Sequence, residues 1–243
     1  MEPRIVSAQD WRDALAEMLI REKELTRARD ELAAMRRRMP WTPVRKEYRF
    51  SGPDGPVTLR DLFAGRRQLI VYRAFMDPGV SGWPERGCVG CSLMADHIPS
   101  LSHLHARDTT LVYVSRGPQS DIARIKERMG WNMPWYTMID SEDGFFDVDF
   151  DVDEWHGTNT FIRQPGSDEV FRTYFTNNRG DEAFVSTWTF LDLTALGRQE
   201  TWEDSPPGYP QTPPYQWWRH HDAYRSDQNG GGSSSVASAG GVK

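Results

Sequence analysis

The 243-residue chain holds two cysteines, Cys88 and Cys91, within the run Gly87-Cys88-Val89-Gly90-Cys91-Ser92. A strand-like stretch precedes the pair and a helix-like stretch follows it. In a C-x-x-C at the start of a helix, the first sulfur lies near the positive end of the helix dipole and its unpaired N–H groups. That position lowers the thiol pKa and makes the sulfur a nucleophile. The second cysteine, three residues on, can close a disulfide with the first or share a metal ion with it. Two small buried hydrophobes are the plainer alternative, yet this spacing beside a strand and a helix favours redox or metal chemistry.

Composition bounds the setting. Charged residues make up 26% of the chain and hydrophobic residues 38%, with a net charge of -6 and a pI near 5.6. That balance is that of a soluble globular protein, and its acidity argues against nucleic acid or an anionic membrane surface as the main partner. No apolar run approaches the roughly 18 residues that cross a bilayer, and the opening MEPRIVSAQDW has no apolar signal core. A cytoplasmic protein is expected. In a reducing cytosol a close cysteine pair is more often redox-active or metal-binding than a structural staple.

The elements that must position the pair divide into three stretches: a helical extension over 1–40, a domain over 41–226 and a disordered glycine- and serine-rich tail over 227–243. From about Ser7 to Met39 the chain reads as one helix without glycine or proline. Trp11, Met18, Leu25, Leu32 and Met39 recur every seven residues, flanked by Leu15, Ala28 and Met35. So narrow a stripe suits a helix lying along the domain surface. It also suits a two-helix seam in a homodimer, although Glu22, Arg29 and Arg36 weaken that reading.

Pro40 and Pro43 break this helix and begin an extended segment, Val44 to Phe50, closed by the turn Gly52-Pro53-Asp54-Gly55. Leu69-Ile70-Val71-Tyr72 reads as a buried strand leading directly to the cysteine loop. After Cys91, the residues Met94, Ile98, Leu101 and His105 fall at helical spacing, with Pro99 kinking or splitting the helix. Leu111 to Val114 is another buried strand, Ser120 to Met129 another helix ended by Gly130, and Tyr136 to Ile139 a short extended piece. Thr158 to Arg163 and Glu169 to Thr176 form a hairpin across Pro165-Gly166-Ser167-Asp168, and Glu182 to Leu191 is the last helix. Ser205 to Trp218, rich in proline and aromatics, wraps over its own domain. Strands alternating with helices imply a sheet with parallel members and helices on both faces.

Asp140 to Glu154 carries eight acidic residues, but not as a calcium loop: Val152 and Thr158 stand where glycine and glutamate would be needed. Asp147, Asp149, Asp151 and Asp153 alternate with Phe146, Val148, Phe150 and Val152, the period of a strand or extended edge.

Strand, C-x-x-C, helix, strand, helix, β-hairpin and closing helix is the order of a thioredoxin fold. The chain most resembles DUF899, a bacterial family of thioredoxin-like (AhpC/TSA-related) proteins of undefined function. The resemblance runs from about residue 8 to Tyr224. It rests on Lys23-Glu24-Leu25-Thr26-Arg27, the cysteine motif, Leu104 through Arg107-Asp108, Ser115-Arg116-Gly117-Pro118, Arg128-Met129-Gly130-Trp131 with Pro134-Trp135, and Leu191-Asp192-Leu193-Thr194-Ala195-Leu196-Gly197-Arg198. It implies an α/β thioredoxin-like fold, a central mixed sheet with helices on both faces, here with a long N-terminal helix. Gly157-Thr158 stands where thioredoxins carry a cis-proline. The proline and the threonine or serine that precede a peroxidatic cysteine are replaced by Ser81 and Glu85, which counts against a peroxiredoxin mechanism.

That fold sets the turn before Thr158 across from the cysteine loop and brings His156 close to Cys88 and Cys91. His156 then either moves a proton to or from a thiol or completes a Cys2His site for copper or zinc, as in copper-binding members of the superfamily; otherwise it caps a turn. His105 reads as a core histidine and His220 and His221 as surface residues. Trp83, Trp131, Trp135 and Trp155 are candidate walls of an aromatic pocket near the cysteines, although each taken alone reads more commonly as a core residue. The leading expectation is a thiol–disulfide oxidoreductase without a cofactor, acting on a protein or small-molecule thiol or disulfide, in which Cys88 attacks and Cys91 resolves. The alternatives are a copper- or other metal-binding protein, such as an oxidase, using Cys88, Cys91 and His156, and a non-catalytic redox-sensing or interaction module.

Overall fold

The computed structural model describes residues 4–140, 145–152, 155–164 and 166–224. The anticipated tail over 227–243, Asp153 and Pro165 of the hairpin turn lie outside the described residues. Helix α1 runs Ala8–Arg38 as a single element, started by the Ser7 hydroxyl accepting from the Asp10 amide and stopped ahead of Pro40. Strands β1 (Thr42–Pro43), β2 (Arg49–Gly52) and β3 (Gly55–Thr58) follow, the last two joined tightly through Pro53 and Asp54. Next come β4 (Gln68–Arg73), α2 (Val89–Asp96), α3 (Ser102–His105), β5 (Thr109–Ser115), α4 (Gln119–Met129) and β6 (Trp135–Ile139). The chain ends its regular structure with α5 (Phe146–Asp149), β7 (Gly157–Arg163), β8 (Val170–Thr176) and α6 (Ser186–Asp192).

All eight strands form one sheet in the order β1-β8-β7-β4-β5-β6-β2-β3. β4, β5 and β6 are parallel, while β7 pairs antiparallel with β4 and β8 antiparallel with β7. A parallel pair joined through α2, with an antiparallel hairpin on its other side, is the frame of a thioredoxin-like fold. Alternation along the central strands divides the core in two. Tyr72, Tyr113 and Trp135 face α2, α4 and α6 with Cys91, Met94, Ile122, Ile125 and Trp188. Leu69, Val71, Val112, Val114 and Phe161 face the opposite way, onto Leu62, Phe63, Phe146 and Phe150.

Two elements differ from the sequence reading, and a third, the helix after the cysteines, is divided as Pro99 implies. The alternating acidic stretch is one helical turn, α5, rather than a strand. Phe146 and Phe150, four apart and 4.8 Å between ring centroids, stack together onto Tyr48 and Phe161, so helical spacing prevails over alternation. The segment from Glu182 is not one helix: a 3-10 stretch, Asn178–Phe184, and α6 are separated by Val185, which is extended and buried. The helix after the cysteines is split, α2 and α3 flanking the interval that contains Pro99.

Asp147 explains why α5 sits where it does. Its carboxylate is fully buried, 2.9 Å from the Arg116 guanidinium and 3.5 Å from that of Arg73, which is itself buried and 2.6 Å from Asp77. The cluster ties the ends of β4 and β5 to α5 and to the loop that carries the cysteines. Removing one partner strands a buried charge, so Asp147→Ala is expected to cost about 3–5 kcal/mol. Urea unfolding followed by tryptophan fluorescence checks this against Asp168→Ala, whose exposed contact with Arg60 should scarcely move the midpoint.

Candidate dithiol site

Where β4 ends, the Ala74 amide is held by the Val114 carbonyl and the chain turns away from the sheet. The loop to Cys88 is clamped along its length: Asp77 by Arg73 and the Arg116 amide, Glu85 through its carbonyl by Arg128, and Trp83 against Trp135. Gly117 permits the close approach, since a Cβ there would come within 2.7 Å of the Trp83 ring. Gly87 then takes φ 108°, open only to glycine, and delivers Cys88 as the N-cap of α2.

Both cysteines are free thiols. The Cys91 amide donates to Cys88 Sγ at 3.4 Å, and the Ser92 amide donates to the Cys88 carbonyl at 3.0 Å. Cys88 is half-buried. Cys91, 1% exposed, lies beneath it with its sulfur accepting from the Phe75 amide at 3.2 Å and from the Tyr72 hydroxyl. This arrangement drives the thiols apart. The hydrogen bond from Cys91 leads in bringing the Cys88 thiol down to about 6, against the cost of desolvation and helped by the Cys91 and Gly90 amides and the charge of His156. Burial, then the negative sulfur of Cys88, pushes Cys91 well above the ordinary thiol range.

His156 immediately precedes β7. β7 pairs with β4 so that Thr158 stands opposite Tyr72 and Gly157 opposite Arg73, which sets His156 at the end of β4 where the chain departs for the cysteines. Its Nδ1 lies 3.1 Å from Asp181 Oδ2, and Thr158 donates to Asp181 Oδ1 at 3.1 Å. Asp181 is buried. A carboxylate accepts from an N–H, so Nδ1 donates to Asp181 and Nε2 is the nitrogen left to exchange a proton.

Other expectations are corrected. Of the tryptophans, Trp83, Trp131 and Trp135 are in the core, the commoner of their two readings, while Trp155 is exposed beside His156 and Phe75 and belongs to neither core nor pocket wall. The ring over the motif is Trp218 of the C-terminal wrap: a Cβ on Gly90 would come within 3.2 Å of it. His220 is buried rather than at the surface, accepting from Arg128 at 2.9 Å, and its pKa is lowered by burial and then by that arginine. His97 is held by Leu93 and Thr187, His221 pairs with Asp96, and His105 is only half-buried.

Among the described residues, no three His, Cys, Asp or Glu side chains form a group that could hold a metal ion. Cys88, Cys91 and His156 do not assemble as the anticipated copper or zinc ligand set. Nor is any helix among the described residues long and apolar enough to cross a membrane.

Sequence reasoning missed Asp181, Tyr72 and Trp218. Tyr72 was legible only as the end of a buried strand. Asp181 and Trp218 are 25 residues from His156 and 128 from Gly90 in number, with no local motif to mark them.

Fold and site define a thioredoxin-like α/β protein with a dithiol at a helix N-terminus. The chain belongs to the family described as "Bacterial protein of unknown function (DUF899)", whose model matches residues 1–224. Among solved structures it is similar to the peroxidoxin BcpB of Mycobacterium tuberculosis, at 18% identity over 61% of this chain and 95% of that one, TM-score 0.38. It is similar also to the bacterioferritin comigratory protein of Xanthomonas campestris, at 15% identity over 60% and 89%, TM-score 0.35. The apo Sco1 protein of Thermus thermophilus matches at 16% identity over 60% and 87%, TM-score 0.35. A comparison with curated proteins found no match.

Alkylation reads the thiol asymmetry directly. Iodoacetamide should modify Cys88 alone in the folded protein, its rate rising with pH to a plateau with a midpoint about 6. In Cys91→Ala the leading hydrogen bond is gone, and the midpoint should move up toward the usual thiol range, as followed by mass spectrometry across a pH series.

Proposed function

We propose that this protein is a thiol–disulfide oxidoreductase in which Cys88 is the nucleophile, Cys91 the resolving thiol and His156 the proton carrier. One observation carries the reading: a half-exposed, low-pKa sulfur at a helix N-terminus, hydrogen-bonded by a second thiol buried beneath it.

In the reducing direction, the Cys88 thiolate attacks one sulfur of a substrate disulfide. The Cys88–substrate S–S bond forms, the substrate S–S bond breaks, and the departing thiolate takes from His156 Nε2 the proton that Cys88 gave up to it. Cys91 then passes its proton to His156 and attacks Cys88 Sγ, forming the Cys88–Cys91 disulfide and releasing the second substrate thiolate, which takes that proton in turn. Two electrons and two protons pass from the dithiol to the substrate; the reverse sequence oxidises a substrate dithiol.

The raised pKa of Cys91 suits this order. While Cys88 is anionic, Cys91 holds its proton and donates. Once Cys88 is tied up in the mixed disulfide, that negative charge is gone, and the Phe75 amide and Tyr72 hydroxyl remain to stabilise a Cys91 thiolate. Asp181 is a positioning residue that fixes the tautomer and orientation of His156. The working setting is the cytoplasm, with a protein or small-molecule thiol or disulfide as substrate.

Oxidised glutathione serves as the test disulfide. The native chain should lose two hydrogens and release two glutathione thiols, Cys91→Ser should accumulate a glutathione adduct on Cys88, and Cys88→Ser should do neither. Failure of Cys91→Ser to trap an adduct, with Cys88 alkylated normally, sinks the exchange reading and leaves a non-catalytic module. Asp181→Asn favours the wrong imidazole tautomer and should slow exchange about 10-fold or more with an altered pH profile; a purely structural Asp181 would leave that profile in place.

A further inference from the structure

Helix α1 stands almost free of the body it precedes. Its 31 residues extend about 46 Å, and none is buried. Contact with the body is confined to one side of its C-terminal end, where Ala33 and Ala34 are half-buried and the Arg36 guanidinium lies 4.8 Å from the Tyr174 ring of β8. A long polar helix gains most of its stability from packing an amphipathic face, and this one leaves its apolar row in solvent. Trp11, Met18, Leu25, Leu32 and Met39 are between 42% and 58% exposed, and Met35 is 60% exposed.

The geometry around the helix axis separates body from stripe. At about 100° per residue, Ala33 and Ala34 sit about 100° and 200° beyond Leu32, while Met35 lies about 60° on its other side. The row through Leu32 and the row Ala14, Arg21, Ala28 and Met35 thus form one seam on the side opposite the body. Taken as the two core rows of a coiled coil, they are apolar except for Arg21. Glu22, Arg29 and Arg36 then fall on the flank of the seam, not in its core. Leu19 and Ile20 are on the body's side and lie outside it.

Charge on the two flanks selects the partner and its direction. One flank is Asp10, Glu17, Glu24 and Glu31; the other is Leu15, Glu22, Arg29 and Arg36. Flanking positions of a coiled coil set orientation by the charges they bring together. Two parallel copies set Glu24 against Arg29 on both edges and Glu31 beside Arg36, whose guanidinium also reaches Tyr174 of its own body, with Glu17 against Glu22 as the one like-charged pairing. An antiparallel pair sets Glu17, Glu24 and Glu31 against their own row. We propose that the occupant of this face is the α1 helix of a second copy of this chain, packed in parallel about a two-fold axis with the two thioredoxin-like bodies on the outside.

Size-exclusion chromatography with light scattering of the full chain tests the association. A mass of about twice 28.0 kDa is expected, falling to the single-chain mass in the Leu25→Glu/Leu32→Glu variant with an unchanged near-ultraviolet spectrum from the core tryptophans. A native chain that stays at the single-chain mass across a dilution series overturns the proposal, as does a dimer that survives both substitutions. Direction is read by mild oxidation in a Cys88→Ser/Cys91→Ser background. Leu32→Cys chains should cross-link to one another in high yield. Cross-linking only between Met18→Cys and Leu32→Cys chains would overturn the parallel arrangement.

Discussion

Pairing of β4 on both sides is the constraint on which the site depends. Its parallel neighbour β5 and its antiparallel neighbour β7 fix where the chain leaves the sheet and which residues stand there. One register does two things at once. It sets Tyr72 opposite Thr158, so that the strand residue whose hydroxyl reaches Cys91 lies beside the residue whose hydroxyl reaches Asp181. It also turns Leu69 and Val71 to the other face, where they hold the second core. A slip of one residue would exchange the two faces and remove the tyrosine and the histidine from the sulfurs together.

Between the sheet and α2 lies a long irregular loop, and buried charge rather than secondary structure holds it. Asp77 accepts from Arg73 on β4 and from the Arg116 amide just past β5, and Asp147 binds both arginines from below. Two arginines facing two buried carboxylates, with Asp140 adding a third at the rim, keep each charge paired. Such a cluster is costly to break, though an apolar substitute of equal shape would hold elements together as well. Its fixed hydrogen-bond directions orient the loop from Ala74 to Gly87 so that Cys88 arrives at the start of α2 with its sulfur under the Cys91 amide.

Residues read from local pattern alone were legible wherever the deciding forces were local. Leu69 to Tyr72 and Leu111 to Val114 declare buried strands by their own composition, Gly130 ends α4 in the left-handed conformation it was read for, and the cysteine spacing declares a helix N-terminus. The stretch around Asp147 was misread because alternation is a local signal, while the arginines that bury this aspartate come from two other strand ends. His220 was placed at the surface for the same reason: only the fold brings Arg128 and the Gly87 turn against it. His156 entered the reading only through the order of elements, which, once taken as thioredoxin-like, sets which turn faces the cysteines. Asp181 had no such handle, since the 3-10 stretch that carries it was read as part of a longer helix.

The asymmetry between the sulfurs bears on the direction of electron flow. A thiolate at Cys88 is stabilised by Cys91, by backbone amides at the start of α2 and by the charge of His156; a disulfide at the same place would draw on none of these charge-dependent interactions. Whatever lowers the Cys88 pKa therefore stabilises the dithiol state relative to the disulfide at any pH above that pKa. A pair so biased gives up its disulfide readily, as in oxidants whose strength comes from a stabilised reduced form. Desolvation works the other way, because burial penalises the anion and leaves the neutral disulfide untouched. For Cys88 the hydrogen bonds prevail and the thiol falls to about 6; for Cys91 burial prevails and the thiol rises. In the exchange proposed above, only the outer sulfur would then contribute to the oxidising bias, with the inner one kept protonated until the outer sulfur has reacted.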